Sequence, residues 1–286
     1  GPSLSPSSMP SSQPSDQPSS GPSLQPSDQP SSGPSLSSSD QPSSGPSLSP
    51  SSVPSSYPSE MPSTVPTPGG ECDPRCAALP PVDSIPSRTN MKDFIKDFLE
   101  GKWNNAKLRR YGSIINCWDV SQVRSMEEAF KDQKNFNEPL NCWVVSNVQN
   151  FKDMFKQTQR FNQPIGNWDT SSATNMKSMF EKAKKFNQPL AEWNVSNVLD
   201  AEGMFSESEK FNQPLAAWDV SAMTEMKKMF EKSKKFNQNL CSWAGKVTNS
   251  AGNRKDMFKD SKCPKEVEEP NLGSDWCQEC SVFVRP

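Results

Sequence analysis

A repeat of 25 residues constrains this chain more than any other feature of its sequence. Large apolar side chains return at a fixed step, so each repeat unit carries an apolar edge that it cannot bury alone. The sequence therefore predicts a solenoid in which successive units stack. The tryptophan column consists of Trp118, Trp143, Trp168, Trp193, Trp218 and Trp243, and phenylalanine columns recur in step at Phe130 to Phe230 and Phe136 to Phe236.

Residues 1–69 differ in composition from the rest of the chain. They hold 17 of the 28 prolines, and their alternation of Pro and Ser offers almost no apolar surface for a core. We expect a disordered Pro/Ser-rich stalk with extended, polyproline-like segments. Stalks of this composition are often O-glycosylated, and an unmodified linker is an equal alternative.

Residues 70–110 are predicted to form an N-terminal cap on the repeat. In the stretch TNMKDFIKDFLEG, the apolar residues from Met91 to Leu99 fall on one face of a helix. Thr89 or Asn90 is placed to cap its start, and Gly101 to end it. Trp103 and Leu108 are expected to complete the cover of the first unit.

Residues 111–262 carry the repeat itself, about six coils. The spacing of Leu190, Trp193, Val195 and Val198 overlays the pattern of leucine-rich repeats, which predicts a strand over residues 192–196 with Asn194 outward. Met176, Met179 and Phe180, like Met226, Met229 and Phe230, have helical spacing. The predicted fold class is thus an α/β, leucine-rich-repeat-like solenoid. The asparagines at the return of each unit are expected to bond the backbone of the neighbouring coil.

Eight cysteines lie towards the two ends of the repeat, and residues 263–286 are predicted to form a C-terminal cap. Cys117 and Cys142 are one period apart, within disulfide reach on adjacent coils, so we expect them to pair. That leaves Cys72 with Cys76. At the other end, the most local pairing joins Cys241 to Cys263 and Cys277 to Cys280. Either tail cysteine could reach Cys241 instead.

This use of cysteine predicts an oxidising compartment and an extracellular or cell-surface location. A cytosolic zinc protein is the competing interpretation, disfavoured because the chain has no histidine to share the ligation. No run of 18 apolar residues is present, which argues against a membrane span. The chain begins at Gly1 without a hydrophobic signal region, which would fit a mature form or a fragment.

The repeat W-D-V-S-x-V-x-x-M-x-x-M-F-x-x-A-x-x-F-N-Q-P-L resembles the BspA-like leucine-rich repeat of surface proteins. The resemblance covers residues 111–258, with local departures at Val144, Asn194 and Asn239. The preceding PSDQPSS tract is similar to predicted extracellular proteins of diatoms. The resemblance implies a secreted or surface-attached adhesion or recognition module without catalytic residues to carry over.

The sequence argues against a catalytic function. Without histidine, Ser-His and Cys-His nucleophiles and histidine-based metal sites are excluded, and we predict no enzyme and no cofactor. A carboxylate-based glycan-active enzyme using Asp119, Asp169 or Asp219 is the least favoured alternative, because these side chains lie on an open repeated face. The formal charge of −2 does not favour a nucleic-acid partner.

Two surface features are candidate sites. A basic ridge is predicted along one edge of the stack. It could bind a protein or polysaccharide ligand, or it could simply keep the surface solvated. Its members are Arg160, Lys185, Lys210 and Lys235. Asn194 begins the sequence Asn-Val-Ser, an acceptor pattern for N-glycosylation that also fits a chance replacement of the repeat's Asp. The predicted function is recognition or adhesion; the alternative is a structural wall or matrix component without a specific ligand.

Overall fold

The computed structural model describes residues 72–247, 253–264, 270 and 276–280. By its contacts the chain divides into Gly1–Glu60 and Met61–Pro286, and every described residue belongs to the second unit. The predicted stalk at residues 1–69 lies outside the described residues.

The described residues contain four short α-helices and one 3-10 helix. These are α1 (Pro74–Ala77), α2 (Met91–Leu99), α3 (Asn105–Tyr111), the 3-10 helix Ile115–Cys117 and α4 (Cys241–Ala244). No helix in this part of the chain is long and apolar enough to cross a membrane.

Helix α2 forms where the apolar spacing predicts it. The Asn90 side chain caps it by accepting the Asp93 N–H at 3.3 Å, and Gly101, at φ 68°, follows its end. Met91 and Ile95 are buried against the core. Trp103 stacks on Trp118 with ring centroids 5.0 Å apart, so the cap extends the tryptophan column by one ring.

The tryptophan column is buried, as predicted. The six repeat tryptophans are at most 3 % exposed, and neighbouring rings stack with centroids 6.3–6.4 Å apart in the pairs from Trp118 to Trp193 and in the pair Trp218–Trp243. Each indole N–H after the first donates to a carbonyl 28 residues earlier, as Trp193 does to Ile165 at 3.0 Å. Burial of a polar indole edge is thereby compensated within the stack.

Units are joined by single parallel bridges rather than by strands. The bridged positions repeat in register at Ser125, Asn150, Asn175, Asp200, Glu225 and Asn253. The prediction of a strand over residues 192–196 is wrong. The predicted alternation of burial is nevertheless present, since Trp193 and Val195 are buried and Asn194 is exposed. The backbone there closes a turn instead, because the Ser196 N–H donates to the Asn194 Oδ1 at 3.1 Å.

The helices predicted at Met176–Phe180 and Met226–Phe230 are also wrong. These residues form consecutive turns, whose alternate N–H groups donate to the next unit, as from Ser178 to the Glu202 carbonyl at 2.8 Å. Ser178 and Lys182 adopt positive φ values of 52° and 61°, which no α-helix permits. The same apolar face is buried, because turns and helix both return side chains to one side every three to four residues.

All eight cysteines form disulfides, but the pairing expected at the N-terminal end is wrong. The bonds are Cys72–Cys142 and Cys76–Cys117 there, and Cys241–Cys280 and Cys263–Cys277 at the other end. Cys72 precedes α1 and Cys76 lies within it, and the two bond to cysteines one repeat apart, so the segment reaches two different units.

The C-terminal bonds follow the less local arrangement, in which a tail cysteine reaches Cys241. Residues 276–280 lie against the last full unit. Trp276 meets Trp243 edge-on, at 69° between ring planes, which ends the parallel ring stack. The Gln278 amide donates to the Asn237 carbonyl at 3.3 Å, the contact that repeat glutamines make between units.

Candidate ligand-binding face

The return segment of each unit projects two side chains outward around one buried ring. Arg160 and Asn162 are exposed, whereas Phe161 between them is fully buried. The same inward phenylalanine recurs in the next three units, with centroids 5.9, 6.0 and 6.1 Å apart from Phe161 to Phe236. Residues before and after it therefore form two parallel outer columns at the same spacing.

We call the first of these the basic column. It consists of Arg160, Lys185, Lys210 and Lys235, all exposed. Within the described residues, none of the four side chains makes an ion pair or hydrogen bond. The structure thus aligns the predicted ridge in register. The residues of the column repeat at the ring spacing of about 6 Å, and two unit charges at that separation would repel by about 0.7 kcal/mol in water.

Other lysines of the repeat are neutralised from unit to unit. Lys152 pairs with Glu127 at 2.8 Å, and Lys177 pairs with Glu202. Hydrogen bonding to these carboxylates raises the pKa of both lysines. Lys184, adjacent to the basic column, pairs with Glu209 at 2.9 Å. The unpaired state of the basic column is therefore not a general property of lysines on this surface.

The second outer column is made of amides, and we call it the amide column. In the first four members Oδ1 accepts the backbone N–H of the next asparagine at 2.8–2.9 Å, which confirms the predicted role of these residues, and the Oδ1 of the fifth, Asn237, accepts from the Gln278 amide. In the described part of the chain their Nδ2 groups donate to no acceptor. Its members are Asn137, Asn162, Asn187, Asn212 and Asn237. Neither column contains a carboxylate, so together they present cationic groups and amide donors.

The outward aspartates have local structural roles. The Oδ1 atoms of Asp119, Asp169 and Asp219 each accept the N–H of the serine two residues later at 2.9–3.1 Å. Hydrogen bonds from Ser171 lower the pKa of Asp169. Val144 and Asn194 occupy the intervening units, so these three carboxylates do not lie on neighbouring units.

Asn194 is exposed, and its side chain is held in one orientation. Its Oδ1 accepts from the Ser196 hydroxyl at 2.8 Å and from the Ser196 N–H at 3.1 Å. Its Nδ2, the atom that a glycan would modify, has no partner among the described residues. The geometry leaves this amide accessible, and the modification itself stays a prediction.

A polar cleft lies between the start of α2 and the first unit. Its lining includes Asn90, Lys92, Ser125 and Glu128. Glu128 is bonded by Lys131 and by Lys92, the latter at 2.5 Å, and these two ammonium groups lower the pKa of Glu128 to about 2. Glu128 therefore pairs with Lys92 of α2 and with Lys131 of the first unit, and these contacts join the cap to the stack.

Three cysteine sulfurs also lie close together, those of Cys72, Cys76 and Cys142. All three belong to disulfides, so none is a thiolate of the kind that binds zinc. This contradicts the competing interpretation of the cysteines as a zinc site.

The repeat matches a known protein family described as "Mycoplasma protein of unknown function, DUF285". Two overlapping matches cover residues 98–210 and 163–269, which together exceed half of the chain. The chain belongs to this family. The DUF285 matches include every residue of the basic column. No curated protein and no solved structure matches the chain.

Proposed function

We propose that this chain is a non-catalytic recognition or adhesion module that binds a protein or polysaccharide through the side of its repeat stack. The main support for this proposal is that non-repeating segments cover both ends of the repeat stack. Helices α1 to α3 and Trp103 cover the first unit, and the segment 276–280 covers the last full one, each tied by two disulfides. Repeat proteins with closed ends interact through their sides.

The solenoid class and the finer family are part of the same proposal. Register-matched bridges and stacked rings support a leucine-rich-repeat-like coil, in which turns replace the expected helix and strand. The W-D-V-S and F-N-Q-P-L columns support a BspA-like repeat within the DUF285 family.

We further propose that the module acts outside the cell or on its surface. Four disulfides support this location, because such bonds persist in oxidising compartments.

The test is binding of the full, disulfide-intact chain to an array of extracellular proteins and polysaccharides. The same chain after reduction and alkylation is the control for nonspecific adsorption. Saturable binding to at least one member, lost in the control, is the expected result. No binding to any protein or polysaccharide would overturn the proposal and favour a structural component without a specific ligand.

A further inference from the structure

The basic and amide columns point to one class of ligand for the proposed recognition module. Building on the proposed function, we infer that they bind a linear anionic polysaccharide, carboxylated or sulfated, which lies along the stack. Four cationic side chains, one from each unit, would each contact an anionic group of the polymer.

The geometry suits a polymer more than a compact ligand. Three steps of 5.9–6.1 Å make the basic column about 18 Å long and one side chain wide. A small anion would engage one or two of the four cations. A polymer with regularly repeated charge engages all four, and removes the repulsion between them.

The chemistry of the amide column favours a sugar polymer. Its Oδ1 atoms are committed to the neighbouring backbone, whereas its Nδ2 donors are unused. Carboxylate, sulfate and hydroxyl oxygens all accept such hydrogen bonds. Lys185, Phe186 and Asn187 show the arrangement within one unit: the ammonium and the amide flank a buried ring.

Single-stranded nucleic acid fits this face poorly. Proteins that bind it combine a positive groove with exposed aromatic rings on which bases stack. Here the ring between the two columns is buried in every unit from Phe161 to Phe236. Outside residues 1–69 the charges nearly balance, with 31 Lys and Arg against 29 Asp and Glu, so no general positive field supplements the column.

The experiment measures affinity of the full, disulfide-intact chain by calorimetry for defined polymers. Dextran sulfate and polygalacturonate are the sulfated and carboxylated probes, dextran is the neutral control, and poly-L-glutamate represents an acidic protein. We expect binding to at least one anionic polysaccharide, weaker at high salt, and none to dextran. Stronger binding to poly-L-glutamate than to either polysaccharide would overturn the inference.

Matched variants separate the columns from charge in general. The double variant K185Q/K210Q should lose about tenfold in affinity, because two of four contacts disappear. The control K152Q/K177Q removes the same charge from lysines that pair with glutamates, and should change affinity less than about twofold. Thermal melting of each variant verifies folding. An equal loss of affinity in the two double variants would mean that only net charge matters, and would overturn the inference.

Asn187→Asp tests the amide column without breaking the stack. The substitution keeps an oxygen for the Asn212 N–H but replaces the outward donor with a negative charge beside Lys185. We expect unchanged melting and about tenfold weaker polysaccharide binding; unchanged affinity would contradict the role of this column. If the array identifies a protein ligand while both anionic polysaccharides fail, this inference falls and the proposed function stands.

Discussion

At the scale of single residues, the stack depends on polar side chains that replace backbone pairing between units. Asn187 shows this most clearly. Its side-chain Oδ1 accepts the Asn212 backbone N–H at 2.9 Å, and its backbone carbonyl accepts the Gln213 side-chain amide at 2.9 Å. Without extended strands, such contacts satisfy the backbone of the return segments.

Replacement of Asn187 should therefore depend on whether the acceptor oxygen survives. Asn187→Ala should lower the free energy of unfolding by about 1–2 kcal/mol, because it leaves the Asn212 N–H without its partner. Asn187→Asp should cost less than about 0.5 kcal/mol, since the Oδ1 acceptor remains. Chemical denaturation measures both; an equal cost for the two variants would refute the hydrogen-bond assignment.

The Glu128 carboxylate should give the cap a measurable pH dependence. Lys131 and Lys92 lower its pKa from the ordinary 4.5 to about 2, so the folded state favours the ionised form. This stabilisation is complete above pH 4.5 and is lost as pH falls towards 2. Because Glu128 is partly solvated, we expect about 1 kcal/mol.

The Glu128→Gln variant should then be less stable than the parent at neutral pH, and the difference should shrink between pH 4.5 and 2. Glu192→Gln is the control, because Glu192 is exposed and forms no ion pair among the described residues. Denaturation curves at several pH values give the comparison. A difference that is constant over this range would contradict the ion-pair network.

At the scale of elements, the tryptophan column is one of three columns of stacked aromatic rings that join the units. Trp193 is 3 % exposed, stacks on Trp168 at 6.3 Å and donates to the Ile165 carbonyl. Trp193→Ala should lower the free energy of unfolding by about 3–5 kcal/mol through the cavity it opens. Trp193→Phe should cost about 1–3 kcal/mol, mainly by leaving that carbonyl unpaired. Thermal melting unaffected by either change would contradict the stack.

The sequence predicted which residues are buried better than it predicted the backbone that buries them. Recurring apolar columns identified the tryptophan and phenylalanine rings directly. The turns were missed because Ser178 and Lys182 adopt positive φ without the glycine that normally signals it; only Gly203, at φ 62°, marks that position in its unit. The basic column was visible as a pattern, but whether its charges were paired depended on side-chain contacts.

The cysteine pairing shows the same limit. The sequence placed Cys117 and Cys142 on adjacent units, and the Asn116 and Asn141 side chains beside them do meet at 3.1 Å. It could not show that residues 72–77 lie across both units and supply a partner to each cysteine. Pairing therefore depended on where a short, non-repeating segment packs, which the repeat period does not specify.

At the scale of the whole molecule, the repeats pack against one another in register, and non-repeating segments cover both ends. The N-terminal disulfides depend on both features. Cys72 and Cys76 reach two different units only if those units are neighbours and residues 72–77 lie across them. A continuous basic column requires the same register.

Peptide mapping of the non-reduced full chain measures this pairing. Cleavage after Arg75 separates Cys72 from Cys76, and cleavage after Glu279 separates Cys277 from Cys280, so all four bonds are distinguishable. We predict peptides joining Cys72 to Cys142, Cys76 to Cys117, Cys241 to Cys280 and Cys263 to Cys277. A peptide joining Cys117 to Cys142 would contradict the account, because the N-terminal segment would then not lie across the first two units.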